Sequence, residues 1–543
     1  MEQTREAVLQ AIAATPLDLL VIGGGITGAG IARDAALRGF RTALVDKSDF
    51  GAGTSSHSSR LIHGGIRYLE QGAFRLVFEA SHERRVLLRI APHLVRPLAF
   101  LFPIYKGSRV PAWKLRAGMW LYDLLSSFRN VHWHRWLRAK KVRRVEPWLR
   151  DRGLVGAALY YDAQTDDARL VIATMRSAIK AGAMAVNYVE VVSLLKPDGR
   201  VRGAVVRDVL TGATATVRAH VVVNATGPWS DQVRRLDDAS AVPMLRLTKG
   251  AHVIVPRKRM ANAHAVTLFS QLDGRVMFVL PWGDLAYIGT TDTDADAPPD
   301  ELRVTAADVT YLLRSANAAF PDAHLGTSDV VSAWVGLRPL LREEGGSPSQ
   351  VSREHRVLES VQGLISIVGG KLTTYRVMAR DVVDRVATRL HELDGRPVAK
   401  RPPTDRQPLP GGEAAELEVL VEAARARGTA ETTARHLVAQ YGSEAAAVLN
   451  LVDRDRKLGA AIISGRPEIW AEVDYAAQRE LAVRVQDVMI RRLHLFYEVA
   501  DHGQSVVAGI AARMKQLLGW DDTREAEERR DYFQVLERSR IKA

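Results

Sequence analysis

The chain has 543 residues, 47% hydrophobic and 25% charged, which is the balance of a water-soluble protein of two or three domains. It contains no cysteine, and this excludes disulfides, iron–sulfur clusters, thiolate zinc sites and a cysteine nucleophile. Its net charge of +13 suits nucleic acid, an anionic membrane surface or an acidic substrate, or else reflects a generally basic surface.

No stretch approaches the length of uninterrupted apolar sequence that a membrane-spanning helix needs. Residues 1–18 lack the apolar block of a signal peptide. The first strong element is a βαβ unit. Residues 18–22 are a short apolar strand, 23–25 a tight glycine turn, 26–38 a helix, and 42–45 a second strand ending at Asp46. Residues 166–181 are predicted helical, with Asp166 or Asp167 as N-cap. Residues 200–223 are predicted as two strands about a turn at 210–212, followed by a third apolar run. Short strands follow in HVIVP, RVMFVLPW and LAYIGT, and a helix over 373–392. This mixture predicts a parallel sheet interleaved with a mostly antiparallel one. A Pro-rich, charged stretch at 394–412 reads as a linker, and 413–518 as a separate helical domain. The highly charged tail after Trp520 is expected to fray.

The turn of the βαβ unit, Gly23-Gly24-Gly25-Ile26-Thr27-Gly28, fits G-x-G-x-x-G. The first glycine makes the turn, the second admits a pyrophosphate to the backbone, and the third lets helix and strand pack. A pyrophosphate there meets the free amides and positive dipole of a helix N-terminus, while Asp46 accepts from ribose hydroxyls. The pattern alone is weak. Its place between strand and helix, with an acid ending the next strand, predicts dinucleotide binding but does not separate FAD from NAD.

Other motifs carry a resemblance that does. In order they are IGGGITGAGIARDAALRG, GTSSHSSRLIHGGIRYLE, DDARL, NATGPW, LTKGAH, IGTTD, GLRPL and VGGKLTTYR. Over roughly residues 17–390 the chain resembles the FAD-dependent glycerol-3-phosphate dehydrogenases, within the D-amino-acid-oxidase-like flavoproteins. DVMIRRLHL, in the helical tail, resembles the family's C-terminal domain more loosely. Asp46 stands where glutamate is usual, and either acid can hold ribose hydroxyls. The resemblance implies a Rossmann-type FAD-binding domain interleaved with an antiparallel-sheet substrate domain over 17–395, a linker at 396–412 and a C-terminal helical domain at 413–520. It also implies noncovalent FAD, oxidation of sn-glycerol 3-phosphate to dihydroxyacetone phosphate, and electron transfer to membrane quinone. The expected location is cytoplasmic, peripheral to the inner face of the plasma membrane.

Arg67 and Tyr68, Arg338 in VGLRPLL and Lys371 in GGKLTTYR are flanked by Gly, Pro or short polar residues, so each cation is expected on a loop at a strand end. A phosphate monoester favours a bidentate arginine and point-charge lysines. The resemblance places Arg67, Arg338 and Lys371 beside the flavin. Removing two hydrogens from a secondary alcohol needs a proton acceptor, for which His252 and His63 are the candidates. Arg338 would then stabilise charge on the reacting oxygen. Gly370, Lys371, Leu372 and Thr373 offer backbone amides to the flavin; Thr54, Ser55 and Ser59 offer hydroxyls; Ala225 and Gly227 end a buried strand on the cofactor side. No metal is expected.

Residues 129–148 hold seven Lys or Arg, three Trp and a single acid, Glu146. Just before them lies an amphipathic segment with Trp113, Trp120 and Tyr122. Tryptophan among clustered cations suits a membrane interface, and this reading, with Trp133 and Trp136 as anchors, is preferred to nucleic acid. An oxygen-using oxidase of the same substrate, and a flavin oxidoreductase of an amine or hydroxy acid, stay open. So does a homodimer.

Overall fold

The computed structural model describes residues 4–70, 72–126, 131–295, 297–342, 353–414 and 416–541; the side chain of Arg67 lies outside the described residues. Among these, an eight-stranded sheet carries the βαβ unit. Strand Leu17–Ile22 pairs in parallel with Thr42–Val45 on one side and with residues 219–224 on the other. All six of its residues are buried, as in a doubly covered parallel sheet; Asp18, the one polar residue, accepts from Arg41 N–H and Arg396. Helix Ile26–Leu37 covers one face, packed between helices Asp167–Lys180 and Tyr375–Asp394.

The second sheet has ten strands and is mostly antiparallel. One of its long ladders runs from Leu245↔Leu341 to Ile254↔Ser332. The chain alternates between the sheets: residues 17–45 serve the first, 61–165 mainly the second, 184–224 the first, 245–341 the second and 355–369 the first. Both sheets meet along the loops between them, and the candidate site lies there.

Asp166 is the residue that caps helix Asp167–Lys180, its carboxylate accepting the Arg169 N–H at 3.0 Å. The region 200–223 differs from expectation. Its last two runs are one strand, Thr214–Asn224, antiparallel to Gly203–Asp208 at its start and parallel to Leu17–Ile22 at its end. A strand that changes partners midway shows no break in its own apolar pattern.

Residues 396–412 contain no helix or strand beyond turns, yet they lie against the first sheet's helices. The buried Arg33 donates to the carbonyls of Thr404 and Gln407, and Leu409 is fully buried. Beyond them, helices from Leu417–Ala426 to Val507–Leu518 form the C-terminal unit. Against the expectation of fraying, residues 522–539 form a docked helix. Asp521 caps an 18-residue helix, Asp522–Ser539, whose Glu528, Tyr532 and Leu536 are buried against the preceding helices. That i, i+4, i+8 stripe is a single narrow seam in an otherwise charged segment.

Candidate active site

The glycine turn is built by close approach. Gly23 has φ +106°, and a Cβ there would lie 2.7 Å from the Ala225 carbonyl oxygen. A Cβ on Gly28 would lie 1.8 Å from the Gly23 oxygen, so only glycine lets the helix start this near the strand. Gly25 caps the helix without a side chain, and Ser55 Oγ accepts the Ile26 N–H at 3.0 Å. Asp46 accepts from Gly24 N–H at 2.6 Å and Ser48 N–H at 2.8 Å. Burial pushes its carboxyl up to about 6 against these two hydrogen bonds.

A cavity of about 1570 Å³ runs from this turn to the second sheet. It exceeds the roughly 300–1,000 Å³ of ordinary ligand pockets, which leaves room for a dinucleotide and a further small molecule. Gly23, Gly25, Thr27, Asp46, Thr54, Ser55, Ala225 and Gly227 line one end; Ser59, His63, Tyr68, His252, Arg338, Gly370, Lys371, Leu372 and Thr373 line the rest. Gly28 stays behind the turn as packing. The backbone of Arg67 lies in the 3₁₀ turn Ile66–Leu69.

The cations sit differently from one another. Lys371 lies in the loop after strand Ile365–Gly369, with Nζ 3.6 Å above the Tyr68 ring. Thr373 Oγ1 accepts the His63 N–H at 3.2 Å, tying this loop to the one carrying Tyr68. Arg338 is not on a loop. It lies within strand Ser332–Leu341, opposite Thr248. Pro339 beside it reads as a strand end, yet the ladder continues past it, with Leu247 opposite Pro339 and Leu245 opposite Leu341. The Arg338 guanidinium bonds Asp292 Oδ1 at 3.0 Å and Thr290 Oγ1 at 3.1 Å.

His252, on the neighbouring strand, is buried and stacks on Trp334 with ring centroids 4.9 Å apart. Its Nε2 is 2.9 Å from Ser59 Oγ. Burial first, then the charges of Arg338 and Arg60, pushes its imidazole down to about 3, so it is neutral at neutral pH.

The FAD dependent oxidoreductase family matches residues 18–384, and the C-terminal domain of alpha-glycerophosphate oxidase matches residues 402–525. The glycerol-3-phosphate dehydrogenase of Synechocystis sp. is 38% identical, covering 97% of each chain. The chain belongs to the FAD-dependent glycerol-3-phosphate dehydrogenase family. The aerobic glycerol-3-phosphate dehydrogenase of Bacillus subtilis is also 38% identical, over 95% of this chain and 94% of its own. The crystal structure of the Bacillus halodurans glycerol-3-phosphate dehydrogenase complexed with FAD superposes with TM-score 0.82 at 32% identity, covering 98% of this chain and 97% of that one.

The cofactor of this family is FAD, and the residues present fit it. The glycine turn leaves space where side chains would stand, and the partly desolvated Asp46 carboxylate faces the same cavity. Residues 53–55 and 369–373 line the stretch between that turn and the second sheet.

Four residues of this site had no role in the sequence reading. A Cβ on Gly250 would lie 2.3 Å from Arg338 Nη2, and one on Gly289 would lie 2.0 Å from His252 Cδ2. Each glycine is the floor on which the key side chain lies. Asp292 and Thr290 orient the guanidinium. Their motifs, LTKGAH and IGTTD, are visible in the sequence, the first ending in His252; that Gly250 lies under Arg338 and Gly289 opposite His252 follows only from strand pairing.

Proposed function

We propose that this protein oxidises sn-glycerol 3-phosphate to dihydroxyacetone phosphate and passes the electrons to a membrane quinone. The observation that carries the substrate reading is the shared cavity: Arg338 and the Lys371–Tyr68 pair open into the same space as the dinucleotide turn and two histidines. The names of the Synechocystis and Bacillus subtilis relatives agree with the substrate.

FAD supplies the hydride acceptor. Lys371 and Arg338 supply positive charge for the phosphate and the reacting oxygen. Asp292 and Thr290 hold the Arg338 guanidinium so that it is oriented before substrate arrives. His252 takes the hydroxyl proton. Its basicity is held down partly by Arg338, and a substrate dianion that offsets that charge raises it when substrate is in place. Ser59 keeps the imidazole in one orientation. His63, also on the cavity wall, is the alternative proton acceptor.

The membrane reading rests on helix Ala112–Leu125. Lys114, Leu115, Ala117, Gly118 and Leu121 line the cavity, while Trp113 (72% exposed), Trp120 (56%) and Leu124 (56%) face outward on the adjoining side. Trp133, 54% exposed, stands edge-on to Trp120 at 6.5 Å. Exposed tryptophans beside Lys114, Arg116 and Arg135 fit an anionic headgroup layer, at the wall of the site a lipid-soluble acceptor must reach. Two aromatics of the expected membrane face are less exposed. Tyr122 is buried, its hydroxyl donating to Asp162 at 2.7 Å, and Trp136 is half-buried under Arg116. Among the described residues no helix is long and apolar enough to cross a membrane.

Anaerobic bleaching of the flavin absorbance tests the substrate. Glycerol 3-phosphate should bleach it and D-alanine should not; the reverse sinks the reading. Faster reoxidation by a quinone analogue than by oxygen supports the acceptor, and the opposite makes the protein an oxidase. Salt-sensitive binding to anionic liposomes should be lost when Trp113, Trp120 and Trp133 are replaced by Ser.

A further inference from the structure

The loop 46–60 lines the dinucleotide end of the cavity with Asp46, Ala52, Gly53, Thr54 and Ser55. Part of it is held by the two sheet domains: Gly51 N–H donates to the Gly24 carbonyl, and Thr54 Oγ1 donates to the Leu337 carbonyl at 2.7 Å. Two further grips come from more than 400 residues away.

The first is Asp49. Its carboxylate is fully buried. Arg492 donates to it twice, at 2.8 and 3.0 Å, and Arg491 Nε donates to it as well. Asn187 Nδ2 adds a fourth bond at 3.1 Å. Burial alone would favour the neutral acid; the two guanidinium groups reverse this and hold Asp49 ionised, below its ordinary range. Arg492 is itself fully buried, and Arg491 is further paired with Asp487 at 2.8 Å. The second grip is His57. Its Nδ1 bonds the Gly53 carbonyl at 2.8 Å, and its Nε2 lies 3.2 Å from the Tyr497 hydroxyl. Burial keeps this imidazole neutral and pushes Tyr497 up to about 12. The network therefore assigns the Nδ1 proton to His57 and makes Tyr497 the donor.

Both grips belong to one short segment of the C-terminal unit, the π-helical turn Asp487–Arg492 and the helix Leu495–Glu498. The same segment reaches the second sheet, where Glu498 accepts from Trp282 Nε1 at 2.8 Å and the Tyr497 carbonyl accepts from Ser332 Oγ at 2.6 Å. A buried carboxylate with its arginines removed is an uncompensated charge, and the loop carrying it would turn toward water. A loop ordered before the ligand arrives binds that ligand more tightly, because the ordering cost falls outside the binding step.

We propose that residues 487–498 of the C-terminal unit are part of the cofactor site: Arg491, Arg492 and Tyr497 hold the loop 46–60 in the shape that receives FAD, and Arg492 is a positioning residue for the cofactor. FAD and the docking of the C-terminal unit are then linked, each tightening the other. This holds whichever alcohol or acceptor the enzyme uses.

The test titrates FAD into apoprotein and follows the quenching of flavin fluorescence, with hydrogen exchange measured with and without FAD. Arg492→Met should weaken FAD binding by about tenfold or more, with partial recovery in Arg492→Lys. Removing FAD from the unaltered protein should raise exchange in residues 47–58 and 487–498 together. If Arg492→Met does not fold, Tyr497→Phe decides: it keeps the ring, loses the bond to His57 and should weaken FAD several-fold. Unchanged FAD affinity and flavin spectrum in Arg492→Lys and Tyr497→Phe, with exchange in 487–498 indifferent to FAD, would overturn the assignment and leave an ordinary domain contact.

Discussion

Arg338 Nη1 lies 3.0 Å from Asp292 Oδ1, with side-chain exposures of 24% and 10%. The pair stands on the cavity wall, where water screens it incompletely, so Asp292 fixes the guanidinium as well as partly offsetting its charge. Asp292→Asn should keep FAD bound while lowering kcat/KM for glycerol 3-phosphate by about 10–100-fold, the range for loss of a residue that orients a working group. Arg338→Lys should cost about 100-fold or more, because an ammonium cannot reproduce the guanidinium's forked geometry. Steady-state kinetics with the flavin spectrum as control measures both.

Gly289→Ala should act through His252. The added methyl would stand 2.0 Å from the imidazole and push it off Ser59. Activity should fall about 100-fold with FAD content unchanged, since a misplacement of about 1 Å is enough. His252→Gln should lower kcat by about 100-fold or more and remove the acidic limb of its pH profile. His63→Gln should chiefly raise KM. If instead His63→Gln removes the acidic limb, the two roles are exchanged.

Lys371→Met should raise KM for glycerol 3-phosphate by about tenfold or more, having removed a charge-assisted contact. Tyr68→Phe preserves the aromatic face beneath Nζ and should have a smaller effect. A substrate analogue without the phosphate should respond to neither change.

FAD affinity should depend on pH through Asp46, whose carboxyl burial pushes up to about 6 in the free protein. The ionised form accepts ribose hydroxyls and the protonated form does so poorly, so bound FAD lowers this pKa. Affinity is therefore full above pH 6 and is lost as pH falls through it, by at most about tenfold per pH unit. Fluorescence titrations between pH 7.5 and 5 should show this fall, and Asp46→Asn should flatten it.

Tyr532 tests the last helix. It is 1% exposed and its hydroxyl donates to the His502 carbonyl. Tyr532→Ala should destabilise the C-terminal unit by about 3–5 kcal/mol, as truncation of a buried aromatic does. Denaturant melts read this directly, and an unchanged midpoint would mean that the helix is not docked in solution.

The βαβ unit was legible because its parts are local. An apolar run, a glycine turn, a helical period and a terminal acid need no knowledge of the rest of the chain. Lys371 and Tyr68 were found as a cation and an aromatic in glycine-rich stretches, and the fold sets one over the other. Arg338 was found as a residue but misplaced, because Gly and Pro beside it imitate a loop. Helix Asp522–Ser539 was missed because three buried residues among many charges give almost no periodic signal.

By itself the sequence determined the dinucleotide turn, the βαβ unit around it and the family. These are written in residues a few positions apart, where backbone sterics and side-chain period act directly. Only the tertiary structure decided that Gly250 and Gly289 make room for Arg338 and His252, and that Asp49 is answered by arginines more than 440 residues later. Which distant side chains meet is set by how whole sheets and helices pack, and no local rule of spacing contains that information.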